Sequence, residues 1–123
     1  MIDIDLLQSY GGTFKTLEKD EELFGEGNEC HYYYQLISGQ LRWVNLTADG
    51  REYLQTIVEP GQCIGELPLF DGRPYAASSF ANMHSIVLKL PKNRFLELLC
   101  NHSDIHFSFS RLLTERLRFK FFI

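Results

Sequence analysis

The segment from residue 65 to residue 78, GELPLFDGRPYAAS, could bind an anionic ligand. A short helix that starts near Gly65 to Leu67 would point free backbone N–H groups outward, where hydrogen bonds and the helix dipole stabilise a phosphate. Glu66 lies at the same place and can accept hydrogen bonds from a sugar hydroxyl. Its alternative role is to cap the helix. Arg73 could reach such a site along an extended segment, although an arginine between glycine and proline in a loop is usually exposed.

The segment interrupts a chain that is otherwise rich in short strands. From about Phe14 to Leu90, β-branched and aromatic runs alternate with turn residues, which predicts a sandwich or barrel. The runs YYYQLI, QLRWVNL and REYLQTIV are the clearest strands. Hairpin signals at Ser38-Gly39 and Asp49-Gly50 predict that these three strands form a meander.

Helices are predicted at both ends of this β region. MIDIDLLQSYGG indicates a short N-terminal helix, and PKNRFLELLC a second helix with Pro91 in its first turn. A long helix begins near Ser103-Asp104. Its last apolar residues fall on more than one side, so we expect a helix-to-helix dimer contact. The residues expected at that contact are Ile105, Phe109, Leu112, Leu113 and Phe119. The alternative is that the tail, Phe119 and residues 121–123, folds back on the barrel.

Charge and cysteine content restrict the classes of partner. The net charge of −4, without a long run of either sign, argues against a nucleic-acid surface within these residues. Four basic residues near the C-terminus are expected to form a solvated helix face: Arg111, Arg116, Arg118 and Lys120.

The three cysteines, Cys30, Cys63 and Cys100, show no paired spacing and are expected to be small buried hydrophobes. With no apolar N-terminal or membrane-spanning segment, we expect a cytoplasmic protein without a membrane partner.

Metal and catalytic chemistry are weakly indicated. His102 and His106 are four residues apart, near Cys100 and Asp104, but they lie across a predicted helix start, and a structural zinc site usually needs four ligands. No Ser-His-Asp or phosphate-loop pattern is present. We therefore expect a binding module without metal or catalytic residues, not an enzyme.

Taken together, these segments resemble the cyclic nucleotide-binding domain, which the Crp-Fnr (catabolite activator protein-like) regulators share with the regulatory subunits of cAMP-dependent protein kinase. LFGEGN is similar to the early glycine turn of that family, YYQLISGQLRW to its strand-glycine-strand hairpin, and PGQCIGELPLF to the entry of its phosphate cassette. The resemblance covers nearly the whole chain. It implies an antiparallel double-stranded β-helix (jelly-roll) barrel at about 14–90 and C-terminal helices at 91–123, within one effector domain at 1–123.

The resemblance also implies a ligand site, with two departures from the family pattern. The family's cassette glutamate, which binds the ribose, corresponds to Glu66. Its arginine, which pairs with the cyclic phosphate, corresponds to Tyr75, which lacks the charge. The activator-type family contacts the base with small hydroxyl residues, where this chain has Lys120 and Phe121. The ligand-binding residues implied, with Arg73 as a substitute cation, are Gly65, Glu66, Leu67, Arg73, Tyr75, Ala76, Ala77 and Ser78.

The function expected from the sequence is that of the ligand-sensing and dimerisation domain of a Crp-type transcription regulator. The effector would be a small molecule, with cAMP or cGMP as candidates, and DNA would be contacted through a domain after Ile123 that is absent from this chain. The alternative is a stand-alone or degenerate domain of the same fold that acts through protein partners without nucleotide.

Overall fold

Eight short strands form two antiparallel four-stranded sheets in the computed structural model, which describes residues 2–122. The strands are β1 (Thr13–Leu17), β2 (Glu22–Phe24), β3 (Tyr32–Ser38), β4 (Leu41–Leu46), β5 (Glu52–Val58), β6 (Cys63–Ile64), β7 (Ser78–Ala81) and β8 (Ser85–Pro91). The first sheet has the order β1-β8-β3-β6 and the second the order β2-β7-β4-β5. The core contains apolar residues of both sheets, among them Leu36 and Leu88 from the first and Phe24 and Leu41 from the second. The mainly β, jelly-roll-like architecture is thereby confirmed, as two sheets of four strands and not one closed barrel.

The predicted three-stranded meander is wrong at its first turn. β4 and β5 form a hairpin around Asp49 and Gly50, but β3 pairs with β6 and β8 in the other sheet. The chain crosses between the sheets at Gly39, whose φ of 92° is in the left-handed region. A Cβ there would lie 2.2 Å from the Ser85 hydroxyl and 2.6 Å from the His84 carbonyl oxygen. Only glycine fits this crossing.

Four α-helices flank the sheets: α1 (Ile4–Ser9), α2 (Leu67–Asp71), α3 (Lys92–Asn101) and α4 (Ser103–Phe119), and a 3₁₀ turn (Lys120–Phe122) follows α4. Asp3 caps α1 by accepting hydrogen bonds from the backbone N–H groups of Asp5 and Leu6. Pro91 lies at the N-cap position of α3, one residue before the helical turn in which it was expected. The tail is partly outside the described structure, since Ile123 and the side chain of Phe122 are not described.

An aromatic cluster holds the C-terminal helices against the first sheet. Tyr33 of β3 stacks on Phe95 of α3 with ring centroids 4.6 Å apart. Phe109 of α4 meets the Phe95 ring edge-on at 5.3 Å. Phe70 of α2 also contacts both phenylalanines. This packing places α4 beside the segment that begins at Gly65.

Candidate functional site

The segment from Gly65 to Ser78, here called the cassette, begins at a backbone position that requires glycine. Gly65 has a φ of 70°, and a Cβ there would lie 2.8 Å from the rings of Phe24 and Tyr75. The chain then enters α2, with Glu66 at its N-cap and Pro68 in its first turn. The helix ends at Gly72, which also has a φ of 70°. The predicted short helix in this segment is confirmed.

Glu66 is buried, with 1% of its surface exposed, and it pairs with a residue of α4. Arg116 donates a hydrogen bond from Nη1 to Glu66 Oε1 and forms an ion pair with this carboxylate. The side chain of Glu66 makes no capping hydrogen bond, so its alternative role as a helix cap is wrong. Its Oε2 has no hydrogen-bond partner among the residues described. The carboxylate that the family resemblance assigns to a ribose is thus bound to a cation of the chain itself.

Arg116 is the site residue that the sequence analysis missed. It was expected on a solvated face with three other basic residues, but it is half-buried and lines the same cavity as the cassette. Burial lowers the pKa of its guanidinium, but the Glu66 carboxylate, with a smaller contribution from Cys63, more than offsets this effect, so the pKa is raised. A signal was present: Arg116 lies four residues after Leu112 and seven after Phe109, on the helix face that both present to the core.

Tyr75, at the position of the family's arginine, points into the core. It is 4% exposed and its ring stacks on Phe24 with centroids 3.8 Å apart. Its hydroxyl donates a hydrogen bond to Cys30 Sγ at 3.2 Å. Burial raises the pKa of this phenol, and Cys30 raises it further, so the group stays neutral. Tyr75 does not line the cavity described below.

The other predicted ligand residues divide into two groups. Leu67, Ala76 and Ala77 line the cavity. Arg73 is exposed, lies outside the lining, and donates its backbone N–H to Asp71 Oδ1. The hydroxyl of Ser78 is buried and accepts a hydrogen bond from the backbone N–H of Glu26 at 2.8 Å. The cassette therefore presents an apolar surface to the cavity, with no cation of its own.

The cavity has a volume of about 830 Å³ and lies between the β4–β5 hairpin, the cassette and α4. This volume is within the range of small-molecule sites, about 300–1,000 Å³. The hairpin contributes mainly β5, together with Trp43 and Asn45 of β4. The end of α4 and the following turn contribute Leu112, Glu115, Arg116, Phe119 and Lys120.

The residues expected at the dimer contact mostly face the protein's own interior. Phe109 is fully buried, and Ile105 and Leu112 pack against the same core. Leu113 is half-buried, and Phe119 is exposed but lines the cavity. The prediction that Phe109 lies at a dimer contact is corrected, because its side chain is in the core of the chain itself. Helical spacing identified the apolar face of α4 but could not show whether the protein's own core or a partner helix covers it. The free apolar face instead carries Phe107, Leu117 and Phe121.

Other chemistry receives no support within residues 2–122. There, no three or more His, Cys, Asp or Glu side chains are grouped as a metal site would need. Cys30 and Cys63 are buried as expected, whereas Cys100 is exposed. Burial raises the pKa of Cys63 to about 12, so its thiol is not a nucleophile at neutral pH. No helix in the described part of the chain is long and apolar enough to cross a membrane.

Comparison with known proteins identifies the family. A family model described as "Cyclic nucleotide-binding domain" matches residues 14–102. The chain belongs to this family. It is 30% identical to the anaerobic regulatory protein of Bacillus subtilis over 93% of its own length and 48% of that protein. It is 29% identical to a CRP-like cAMP-activated global transcriptional regulator of Mycobacterium tuberculosis over 78% of its length and 43% of that protein.

A solved structure supports the same assignment. The Thermus thermophilus catabolite activator protein superposes with a TM-score of 0.84, at 26% identity, over 94% of this chain and 54% of that one. One of these three proteins is named as a transcriptional regulator, one as a regulatory protein and one as a catabolite activator protein, and the resemblance to Crp-Fnr proteins is confirmed. The chain spans about half the length of the curated relatives given above.

We predict that replacing Arg116 by glutamine destabilises the domain more than the matched change Arg118→Gln, because it leaves a buried carboxylate without its cation. The expected loss in the free energy of unfolding is about 2 kcal/mol, less than the roughly 3–5 kcal/mol typical of fully buried pairs, because Arg116 is partly solvated. Urea denaturation measures this loss. The double variant Glu66→Gln with Arg116→Gln should recover at least half of it. Equal stabilities of the two single arginine variants would show that the ion pair contributes nothing.

We predict that Tyr75 stabilises the fold by its ring and only weakly by its hydroxyl. Tyr75→Phe removes one hydrogen bond and should cost about 1 kcal/mol, whereas Tyr75→Ala removes the stack on Phe24 and should cost about 3 kcal/mol or more. Thermal unfolding of the two variants beside the parent measures the difference. A Tyr75→Ala variant as stable as the parent would show that the ring is not part of the core.

Proposed function

We propose that this chain is the effector-sensing and dimerisation domain of a Crp-Fnr-type transcription regulator of the cytoplasm. DNA would be contacted by a further domain that follows residue 123 in the whole protein. The observation that carries the proposal is the position of the cavity. Its walls include both the cassette and the last turns of α4, so an occupant would contact the helix that leads toward the C-terminal part of the protein.

The Glu66–Arg116 ion pair provides a route from ligand to helix. The pair joins the second residue of the cassette to the last third of α4. A molecule that enters the cavity meets Arg116 directly and meets Leu112 and Phe119 one turn to either side. If it binds one position of α4 better than another, it shifts the population of that position. No catalytic step is part of this proposal.

Dimerisation through the outer face of α4 completes the proposal. Phe107, Ser110, Thr114 and Leu117 are spaced 3, 4 and 3 residues apart within α4, and Phe121 follows four residues later in the 3₁₀ turn. This is the heptad spacing of a two-helix coiled coil. The three apolar members are 68%, 61% and 80% exposed in the isolated chain. The small side chains of Ser110 and Thr114 would let two helices approach closely between them. A second copy packed on this face would cover the exposed apolar side chains while the opposite face of α4 keeps its contacts with the core.

We predict that the purified chain elutes with twice the 14.3 kDa mass of one chain, and that Leu117→Glu makes it monomeric. The glutamate would place like charges at the centre of the helix pair. Phe14→Glu is the matched control, since Phe14 is also an exposed apolar residue but lies on β1. Size-exclusion chromatography with light scattering measures the mass. If Leu117→Glu remains dimeric, or if Phe14→Glu alone dissociates the dimer, the contact is not on this face of α4.

The placement of Tyr75 and Arg73 favours a second candidate, a domain that works through protein partners without nucleotide. Neither residue offers a cation to the cavity from the cassette side. A phosphate bound against the cassette would lack a charge-assisted hydrogen bond worth roughly 1.5–3 kcal/mol, about one to two orders of magnitude in affinity. The backbone of the cassette alone would have to compensate.

We predict that cAMP and cGMP bind with dissociation constants of about 10–100 µM or weaker. This is one to two orders of magnitude above 1 µM, because the cassette has no arginine to pair with the phosphate. Calorimetric titration measures these constants. Arg73→Gln should leave them unchanged, because Arg73 lies outside the cavity. Micromolar binding that is lost in Arg73→Gln would mean that Arg73 reaches the nucleotide and compensates for Tyr75.

A further inference from the structure

The cavity has a polarity that identifies a class of ligand. Its cassette side is apolar, with Leu67, Ala76 and Ala77. Both cations of its lining, Arg116 and Lys120, lie on the opposite side, at the end of α4 and the turn that follows. An anionic group in this cavity would therefore lie against the helix, and the apolar part of the ligand would lie toward the cassette.

The two cations retain donors for a ligand. Arg116 uses Nη1 to hold Glu66, but a guanidinium has five N–H donors in a planar fork. Lys120 has no carboxylate within ion-pair distance among residues 2–122. Of the carboxylates nearby, Glu66 is matched by Arg116, and Glu115 is an exposed residue of the lining. Glu115 is exposed and its charge is screened by solvent, so an anionic group of single charge close to Lys120 and the remaining donors of Arg116 suits this arrangement.

The aromatic residues of the remaining walls favour a flat body. Trp43 of β4 and Phe119 of α4 line the cavity. The other residues of these walls are partly apolar, Ile57, Val58 and Leu112, and partly polar, Asn45, Gln55, Thr56 and Gln62. Phe119 is 65% exposed although it lies on a cavity wall, so an occupant would cover it. Trp43 has an indole N–H without an acceptor in the described part of the chain. Aromatic faces such as these pack well against a planar ring.

We propose that the cavity binds a monoanionic aromatic carboxylate, with its carboxylate at Arg116 and Lys120 and its ring in contact with Trp43 and Phe119. The inference rests on the proposed effector function and names the chemical class of the effector. It places the anion on the helix side, whereas the family resemblance implies an anion on the cassette. Arg116 would bind Glu66 and the ligand together, one on each side of its fork.

The test uses three probes with the same phenyl ring and a different charge: benzoate is an anion, benzamide is its neutral counterpart of the same shape, and benzylamine is a cation. Trp43 is the only tryptophan of the chain, so its indole N–H signal in a ¹⁵N-labelled sample reports the cavity directly. The titrations are made at pH 7 and constant ionic strength. We expect a saturable shift with benzoate in the millimolar range, and affinities at least fivefold lower for benzamide and benzylamine, because the donors of the cavity are cationic.

Variants assign the charge preference to the cavity. Lys120→Gln should weaken benzoate at least threefold and leave benzamide unchanged. The control is Lys19→Gln, which removes the same charge from an exposed position outside the cavity and should change neither. Both lysines are exposed, so both variants should fold as the parent does.

Three outcomes would overturn the inference. They are no saturable shift with benzoate at 20 mM, equal affinities for the three probes, or a benzoate affinity that Lys120→Gln does not change. Titration with cAMP on the same sample separates the inference from the function on which it rests. Binding of cAMP without benzoate would overturn the inference and keep the effector function, whereas a Trp43 signal that moves with neither would count against both.

Discussion

Removing a carboxylate from water is costly unless a cation or several hydrogen bonds replace the water, and this requirement determines how the two halves of the domain meet. Glu66 is buried at the start of the cassette, and its cation comes from Arg116, 50 residues further along the chain. For the pair to form, α4 must lie across the cassette, and the aromatic cluster of Tyr33, Phe95 and Phe109 holds it there. The cavity is the space enclosed by this arrangement and the β4–β5 hairpin.

The second constraint is the aromatic residue at the position of the family's arginine. Tyr75 fixes the cassette from inside, because its ring stacks on Phe24 and its backbone N–H and carbonyl bond to Asn28 and Gly27. Gly65 has no room for a side chain because these same two rings lie against it. The loop is therefore held in place by residues of the protein's own core. What it lacks is a charge that faces the cavity.

The sequence predicted the elements well, because strand and helix periods are local properties. The short helix after Gly65, the long α4 and the β4–β5 hairpin all follow from patterns within a few residues. The errors concern the partners of these elements. Ser38-Gly39 looked like a hairpin turn, and only the pairing of β3 with β8 shows that the chain changes sheet there. Leu112 and Phe109 were correctly identified as one apolar face, but what covers that face depends on tertiary packing.

The site was less predictable for the same reason. Glu66 could be singled out because a glycine, a glutamate and a helix start are adjacent in sequence, whereas its partner Arg116 is distant and belongs to a cluster of four similar basic residues. The buried position of Tyr75 also could not be derived, since a tyrosine in a glycine- and proline-rich loop can point either way, and Phe24 and Cys30 decide its direction.

The location of the cations changes how an effector would act. Where a cassette arginine holds the anion, the ligand is fixed first on the β-sheet side, and contact with the helix is a separate interaction. In this chain the cations of the cavity are on α4 and the turn after it, so any anionic occupant interacts electrostatically with the helix itself. Arg116 is at the same time the partner of Glu66, which means that a change in its hydrogen bonds alters the contact between helix and cassette. In the proposed effector function, binding of the ligand and any movement of α4 would then depend on the same set of hydrogen bonds, which is the coupling that such a function requires.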